Sequence, residues 1–572
     1  MPRTITRPVK RLRLFRRIII VFLIYLTFRI VYVQVIPSSS YTNYGRQEQQ
    51  IYVPLPPLRG DIYDRNGQII AMSVSTKTVV ADPKQIKDPL SESTKLAQLL
   101  NLSQATVYHQ MIQNNQFDYI DKQISLSMAQ KVAALQLNGI ALIPSAVRVD
   151  TSTTLLQSLV GLTDLNGNGI SGIEKMYNAT LAGTPGAEEL STSPIGVLPG
   201  GVHVINQVKN GNGIVLSLDQ SLQLRVQELL TKQVIATKSL SGTAAVMDVK
   251  TGEILAMDSV VSMNNLPPTI PKSALLGQGN GVYVFPTSDA MALTFVYEPG
   301  SVMKITTFSG ALERGVITPT TQLNIPPYLM VAGSRFADAE AHGNEVLTAA
   351  QVIQQSSNIG TIEIAQKLGA QTVYNMQSLF GFGHLTPLSF PGESPGILKP
   401  ASQWSGTAIG STPIGQDTGV TVMQLLDAYN ALANGGVYVS PKLVDGIVNA
   451  NGSVTKTPKS STKRLIPSWV DKDMISMMKG VISNAGTAPA AAIPGYTAAG
   501  KTGTAQVPGN GTGAYLPGKF DATFAGFAPA NNPALTCVVM FQEPTGYYGG
   551  SEAGPIFSQI MQYALHLYHV AP

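Results

Sequence analysis

The sequence predicts a mixed α/β chain of more than one domain, and three observations carry that expectation. Its 572 residues exceed what one compact core supports. A helix-like segment at 221–240 leads into an apolar hairpin pattern at 243–257. Two further strand patterns, at 523–529 and 535–541, precede a closing helix pattern at 555–568 in which Ile556, Phe557, Ile560, Met561 and Ala564 share one face. Sheet elements at both ends of one segment, with helical patterns between, place a single large α/β domain over residues 213–572.

In chain order, the first element is a basic tail at 1–17. Arg3, Arg7, Lys10, Arg11, Arg13, Arg16 and Arg17 lie there with no acidic residue among them, and without these seven the net charge of +5 becomes −2. The basic character is therefore local, and nothing in the remaining charge points to nucleic acid. Apolar residues make up 44% of the chain, which excludes a disordered class.

Residues 18–36 are apolar and about long enough to cross a ~30 Å hydrocarbon core as one helix. The basic flank predicts a cytoplasmic N-terminus and an extracytoplasmic remainder beyond Pro37. No Ala-x-Ala-like site follows, so an uncleaved anchor is expected rather than a signal peptide. Arg29 interrupts the span and is read as snorkelling, as meeting a partner helix, or as marking a slightly shifted span.

The lone Cys537 excludes an intramolecular disulfide, and its apolar run Ala534–Met540 predicts a buried strand. The six histidines (His109, His203, His342, His384, His566, His569) show no metal-ligand spacing, which weighs against a zinc site and a Ser/His/Asp hydrolase. Residues 37–212 read as a mixed second domain. A Pro-rich extended segment at 53–58 leads to Arg59–Ala71, where Asn66-Gly67 predicts a tight hairpin turn. A helical pattern follows near 95–113, then a Gly-rich stretch at 161–172.

The chemistry is carried by three motifs in the large domain. Ser301-Val302-Met303-Lys304 follows a turn at Glu298-Pro299-Gly300 and opens a helical pattern that runs to Arg314. Positions i and i+3 share a helix face, so hydroxyl and amine fall within reach, and a helix start offers free N–H groups to an oxyanion. Lysine serves as a base only when burial or a nearby cation lowers its pKa. This motif alone is weak, since such pairs recur by chance. Ser356-Ser357-Asn358 follows a helix-like segment, and Lys501-Thr502-Gly503-Thr504 lies on a strand pattern. Gly503 would let a substrate backbone lie against the strand, Lys501 adds charge, and Thr502 and Thr504 offer hydroxyls to a carboxylate.

All three in this order form the signature of serine penicillin-recognising enzymes. The sequence resembles the class B penicillin-binding proteins, monofunctional peptidoglycan transpeptidases. Similarity extends to Arg59-Gly60 through Gly67, Gly172-Ile173-Glu174-Lys175 through Leu181-Ala182-Gly183, Val249 through Met257, Tyr297-Glu298-Pro299-Gly300-Ser301, Ile414-Gly415-Gln416 through Ala433-Asn434-Gly435-Gly436, and Tyr547-Tyr548-Gly549-Gly550. Residues 84–160 match only loosely. Ala71-Met72-Ser73-Val74-Ser75 with Ala81-Asp82-Pro83-Lys84, and a chain closing at Pro572 without a further domain, look most like the division-specific, FtsI-type branch. Two stretches depart from the family pattern: 259–265 lacks the Pro-rich continuation of its hairpin, and Arg148-Val149-Asp150 replaces the usual Tyr-Pro-x-Gly.

The resemblance implies a central antiparallel sheet flanked by helices, an elongated pedestal domain and one transmembrane helix. It implies that Ser301 forms an acyl-enzyme with a stem peptide ending in D-Ala-D-Ala and releases D-alanine, in septal wall synthesis. Lys304 would take the Ser301 proton, Ser356 would relay a proton to the leaving amine, and Asn358 would hold the substrate amide. Lys501 would lower the Lys304 pKa and attract the terminal carboxylate, with the N–H groups of Ser301 and Thr504 forming the oxyanion hole. No metal or organic cofactor is implied. The implied partners are β-lactams as covalent inhibitors, a membrane glycosyltransferase of the SEDS family and other division proteins. Two rival readings are a β-lactamase or β-lactam sensor, disfavoured by Ser357 where many β-lactamases carry Asp, and an inactive scaffold, disfavoured by four intact site residues.

Overall fold

The structure, a computed structural model, describes residues 7–35, 50–115, 117–152, 154–193, 196–509 and 514–572. Arg3, Ile36 and the polar stretch at 37–49 lie outside the described residues. The chain forms two compact units, both discontinuous in sequence: Met1–Pro57 with Ser75–Ala146 and Thr184–Lys209, and Leu58–Val74 with Val147–Gly183 and Asn210–Pro572.

In the smaller unit, a helix spans Arg7–Val35, where the anchor is expected. Among the described residues no helix is both long and apolar enough to cross a membrane. The basic residues of its first turns and Arg29 interrupt its apolar run, and apolar side chains such as Ile18, Phe22, Tyr25 and Phe28 are exposed. The Pro-rich segment enters the strand Gln50–Leu55 only as far as Leu55, and that strand pairs antiparallel with Gly186–Ser193. The single helical pattern near 95–113 resolves into two helices, Pro89–Leu100 and Gln104–Met111. Asn101 divides them by taking a left-handed conformation (φ 57°), a backbone state in which asparagine is enriched and which ends a helix. Leu96, Val107, Met111, Ile120 and Val132 form that unit's own core.

The larger unit is built on a seven-stranded sheet. In chain order the sheet and the helices around the site are helix α1 (Gln220–Thr237), strands β1 (Ser241–Asp248), β2 (Ile254–Met263), β3 (Gly277–Gly279) and β4 (Val282–Pro286), helices α2 (Lys304–Glu313), α3 (Ala349–Gln355), α4 (Asn358–Leu368), α5 (Val422–Ala433) and α6 (Ser468–Ile482), strands β5 (Ala499–Pro508), β6 (Tyr515–Ala528) and β7 (Leu535–Gln542), and helix α7 (Gly554–Leu567). The sheet order is β3-β4-β2-β1-β7-β6-β5, with every pair antiparallel, as expected. The β1–β7 pairing, from Ser241↔Gln542 to Asp248↔Leu535, closes the two ends of the domain onto each other.

Local chemistry explains these elements. Asp219 caps α1 by accepting from the Ser221 and Leu222 N–H groups, and Thr421 with Gln424 forms a reciprocal capping box on α5. Helices α2 and α5 are buried on nearly every face, so their apolar residues read as continuous runs rather than stripes. The β6 strand begins eight residues earlier than the sequence pattern, at Tyr515, because its polar first half pairs with β5 rather than entering the core. Cys537 is buried in β7.

In the same unit the Asn66-Gly67 hairpin forms, with Gly67 at φ 81° and the Asp64 carboxylate accepting from the Asn66 and Gln68 N–H groups. Two motifs from the sequence meet here: Arg59 Nε donates to the buried Glu174 carboxylate, Nη1 donates to Asn178 Oδ1 (2.7 Å) and Gly167 O (3.0 Å), and Nη2 donates to Glu174 O (2.6 Å). Arg148, one of the departures from the family pattern, supplies a second cation to Glu174, Nε to Oε1 at 2.7 Å.

Candidate active site

Three separate glycines bring three backbones into contact around Ser301. The segment Gly300–Met303 is a short 3-10 turn leading into α2, and the Gly300 N–H donates to Gly415 O at 3.0 Å. A Cβ on Gly415 would lie 2.0 Å from Gly300 O, one on Gly300 2.9 Å from Thr504 O, and one on Gly503 2.5 Å from Pro299 O. Gly503 therefore accommodates the turn that carries Ser301, a reason the sequence reading did not supply; there it was expected to admit substrate backbone. Strand β5, which carries Lys501–Thr504, is the outer strand of the sheet, so one row of its backbone groups faces away from the ladder.

Behind Ser301 lies a polar cluster. Helix α2 is buried and draws the Lys304 amine inward, where it donates to Ser356 O (2.6 Å) and Asn358 Oδ1 (2.9 Å) and lies 3.4 Å from Ser356 Oγ. Lys501 Nζ donates to the same Ser356 Oγ at 2.7 Å. That hydroxyl thus stands between two buried amines. Ser356 occupies the left-handed corner between α3 and α4 at φ 61°, and Ser357 caps α4 through Gly360 N–H. The Ser301 hydroxyl has no hydrogen-bond partner among the described residues. Catalytic hydrogen bonds often tighten only when substrate binds, so this leaves the pair chemically competent. Thr502 Oγ1 lies 2.9 Å from Thr487 Oγ1, while Thr504 Oγ1 accepts the Gly549 N–H at 3.1 Å, which leaves its own proton to donate.

Comparison with known proteins gives the family of the chain. The Penicillin binding protein transpeptidase domain matches residues 242–562, and the Penicillin-binding Protein dimerisation domain matches 54–216. The chain belongs to the penicillin-binding protein transpeptidase family. Among its relatives, penicillin-binding protein PbpB of Mycobacterium tuberculosis is 30% identical, over 95% of this chain and 83% of the relative. Peptidoglycan D,D-transpeptidase FtsI of Escherichia coli K12 is 31% identical, over 97% of this chain and 91% of the relative. A crystal structure of penicillin-binding protein 3 from M. tuberculosis, complexed with aztreonam, superposes with a TM-score of 0.69 at 28% identity, covering 91% of this chain and 98% of that one.

Burial sets the electrostatics of this transpeptidase domain. Desolvation pulls the Lys304 amine down to about 7, with Asp338 acting in the opposite sense. Lys501 is also held well below the ordinary lysine value, first by burial and then by the Lys304 charge. An amine near 7 is partly neutral at physiological pH, as a general base requires.

Asp338 escaped the sequence reading. Its carboxylate accepts from the Asn358 and Ile359 N–H groups at the start of α4, from the Ser357 hydroxyl (2.7 Å) and from His342 Nε2 (3.2 Å). The neighbouring Ala337 O takes Asn358 Nδ2 at 3.0 Å, which turns the Asn358 carbonyl oxygen toward Lys304. A single acidic residue in a loop of Ala, Gly and charged residues has no periodicity to mark it; its role exists only once the loop meets α4.

Proposed function

We propose that the chain is a peptidoglycan D,D-transpeptidase whose nucleophile is Ser301. The observation that carries this is that Lys304, three residues after Ser301, and Lys501 both reach the Ser356 hydroxyl, while Lys304 also donates to Asn358 Oδ1. Neutral Lys304 takes the Ser301 proton as Oγ attacks the carbonyl of the penultimate D-alanine. The backbone N–H groups of Ser301 and Thr504 receive the oxyanion, a role supported by the close approach of Gly300 to the Thr504 backbone. Ser356 passes the proton to the leaving nitrogen, the C–N bond breaks, and D-alanine departs. Asn358 holds the substrate amide, Lys501 with Thr502 and Thr504 attracts the carboxylate, and an amine from a second stem peptide resolves the ester into a cross-link.

This reading includes an anchored enzyme working at the septum with a SEDS-family glycosyltransferase and other division proteins. The apolar run at 18–36 with its basic flank supports an N-terminal anchor with the catalytic domain outside, as does the all-round apolar character of the helix between Ile18 and Phe28. The FtsI name of one relative supports the division role.

The test is incubation of the full-length chain with a fluorescent penicillin, followed by mass mapping. A stable adduct on the peptide containing Ser301 is expected, absent in Ser301→Ala. A folded chain that takes no label overturns the proposal, and rapid release of the label assigns a β-lactamase instead.

The rate of acylation is expected to rise with pH through about 7 and then level off, since Lys304 acts as base only after losing its proton. The negative charge of Asp338 holds that amine up, so Asp338→Asn should move the midpoint to lower pH. Second-order acylation rates measured from pH 5 to 9 check this; an unmoved midpoint limits Asp338 to holding α4.

A further inference from the structure

The loop that carries Asp338 brings a second titratable group to the site. His342 lies four residues further on, partly buried, and both of its ring nitrogens face oxygen acceptors. Nδ1 is 2.7 Å from Gly343 O and 3.5 Å from Glu345 Oε1, and Nε2 is 3.2 Å from Asp338 Oδ2. A neutral imidazole carries one N–H and one lone pair. Either neutral tautomer would set that lone pair against an oxygen here, Nδ1 against the Gly343 carbonyl or Nε2 against the Asp338 carboxylate. Only the imidazolium donates from both nitrogens. The charged groups that face the ring favour the same state: Asp338 from its own loop, and Glu345 from the strand Glu345–Thr348. Against desolvation, the bond to Gly343 O and then these two charges hold the imidazole above the ordinary histidine value.

Asp338 is where this charge is felt. Its Oδ2 takes both His342 Nε2 and the Ser357 hydroxyl, and its Oδ1 takes the Asn358 and Ile359 N–H groups. The same carboxylate raises the Lys304 amine against desolvation. One acid therefore joins His342 to the corner that holds Ser356 and Asn358 and to the amine beside them.

We infer that His342 acts as an imidazolium and is a positioning residue for Lys304 and Asn358, working through Asp338: it offsets the carboxylate charge that Lys304 feels and keeps that carboxylate on the start of α4. The part played by Lys304 as base rests on the transpeptidase reading above; the charge of His342 does not. Because the imidazole is held up in the folded chain, its contact with Asp338 is fully present below the ordinary histidine value and is lost as pH rises through the raised one. As His342 gives up its proton, Asp338 pulls the Lys304 amine upward, so the rise of acylation with pH is broader than that of a single ionisation.

The experiment uses the full-length chain in detergent, labelled with 15N at histidine, and follows the ring-nitrogen shifts against pH, with His342→Gln assigning the signal. Both nitrogens of His342 should carry protons at pH 7, and Asp338→Asn should lower the pH at which they titrate. In parallel, acylation by penicillin is measured from pH 5 to 9. His342→Gln fills similar space without the charge and should raise the acylation midpoint by roughly half a pH unit, opposite in sign to Asp338→Asn. In the Asp338→Asn background that shift should fall to less than half, because a His342 without the carboxylate has already given up more of its proton. A role confined to packing the loop would move the thermal midpoint and leave the pH midpoint in place. A neutral His342 at pH 7, an unmoved acylation midpoint in His342→Gln, or an equal shift with and without Asp338 overturns the inference. If penicillin does not label the chain, the transpeptidase reading fails, while the ring-nitrogen titration and its response to Asp338→Asn still decide the charge of His342 and its link to Asp338.

Discussion

Lys304→Met slows acylation of Ser301 by penicillin by roughly 10³-fold, the scale of a lost general base. The methionine fills nearly the same volume and removes the amine that would neutralise the serine proton. It also abolishes the pH dependence around 7, because the group that titrates there is gone. Stability moves little. Ser356 O and Asn358 Oδ1 each lose a donor, which costs, but an amine that burial had deprived of water is no longer present. Stopped-flow acylation with a chromogenic cephalosporin, alongside a thermal melt, separates the two effects. A variant that keeps the wild-type rate removes Lys304 from the mechanism.

Glu174→Gln destabilises the larger unit by about 3–5 kcal/mol, the expected cost of breaking a buried ion pair from one side. Glu174 is 1% exposed and is the anionic partner of both Arg59 and Arg148; the amide leaves two guanidinium groups with little water and without the carboxylate they both pair with. Arg148→Met costs less, because Arg59 still pairs with the carboxylate. Both tryptophans, Trp404 and Trp469, belong to the larger unit, so urea unfolding followed by tryptophan fluorescence reports on it directly. Equal midpoints for Glu174→Gln and the wild type contradict the clamp.

Much of the fold is visible in the sequence wherever one local rule governs an element. The α1 boundary follows from Asp219 as a cap, the Asn66-Gly67 hairpin from turn chemistry, and α7 from its apolar face. Local rules fail where the deciding contact is distant. The break at Asn101 depends on one left-handed residue that the apolar pattern passes over. The early start of β6 depends on β5 as its partner. Arg148, which looks like a loss of the family pattern, becomes a counter-ion only when Glu174 is brought to it.

By itself the sequence determined the residue types at Ser301, Lys304, Ser356, Asn358 and Lys501, their order, the helix that starts at Lys304 and the strand that carries Lys501. Those follow from spacing and propensity, which act over a few residues. Tertiary structure alone decided that Ser356 Oγ stands between two lysines, that Asp338 steadies the corner holding Asn358, and that Gly503 exists for the nucleophile turn. It also decided the acidity of Lys304. A pKa near 7 is set by how completely water is excluded around an amine, and that depends on residues far along the chain folding over it.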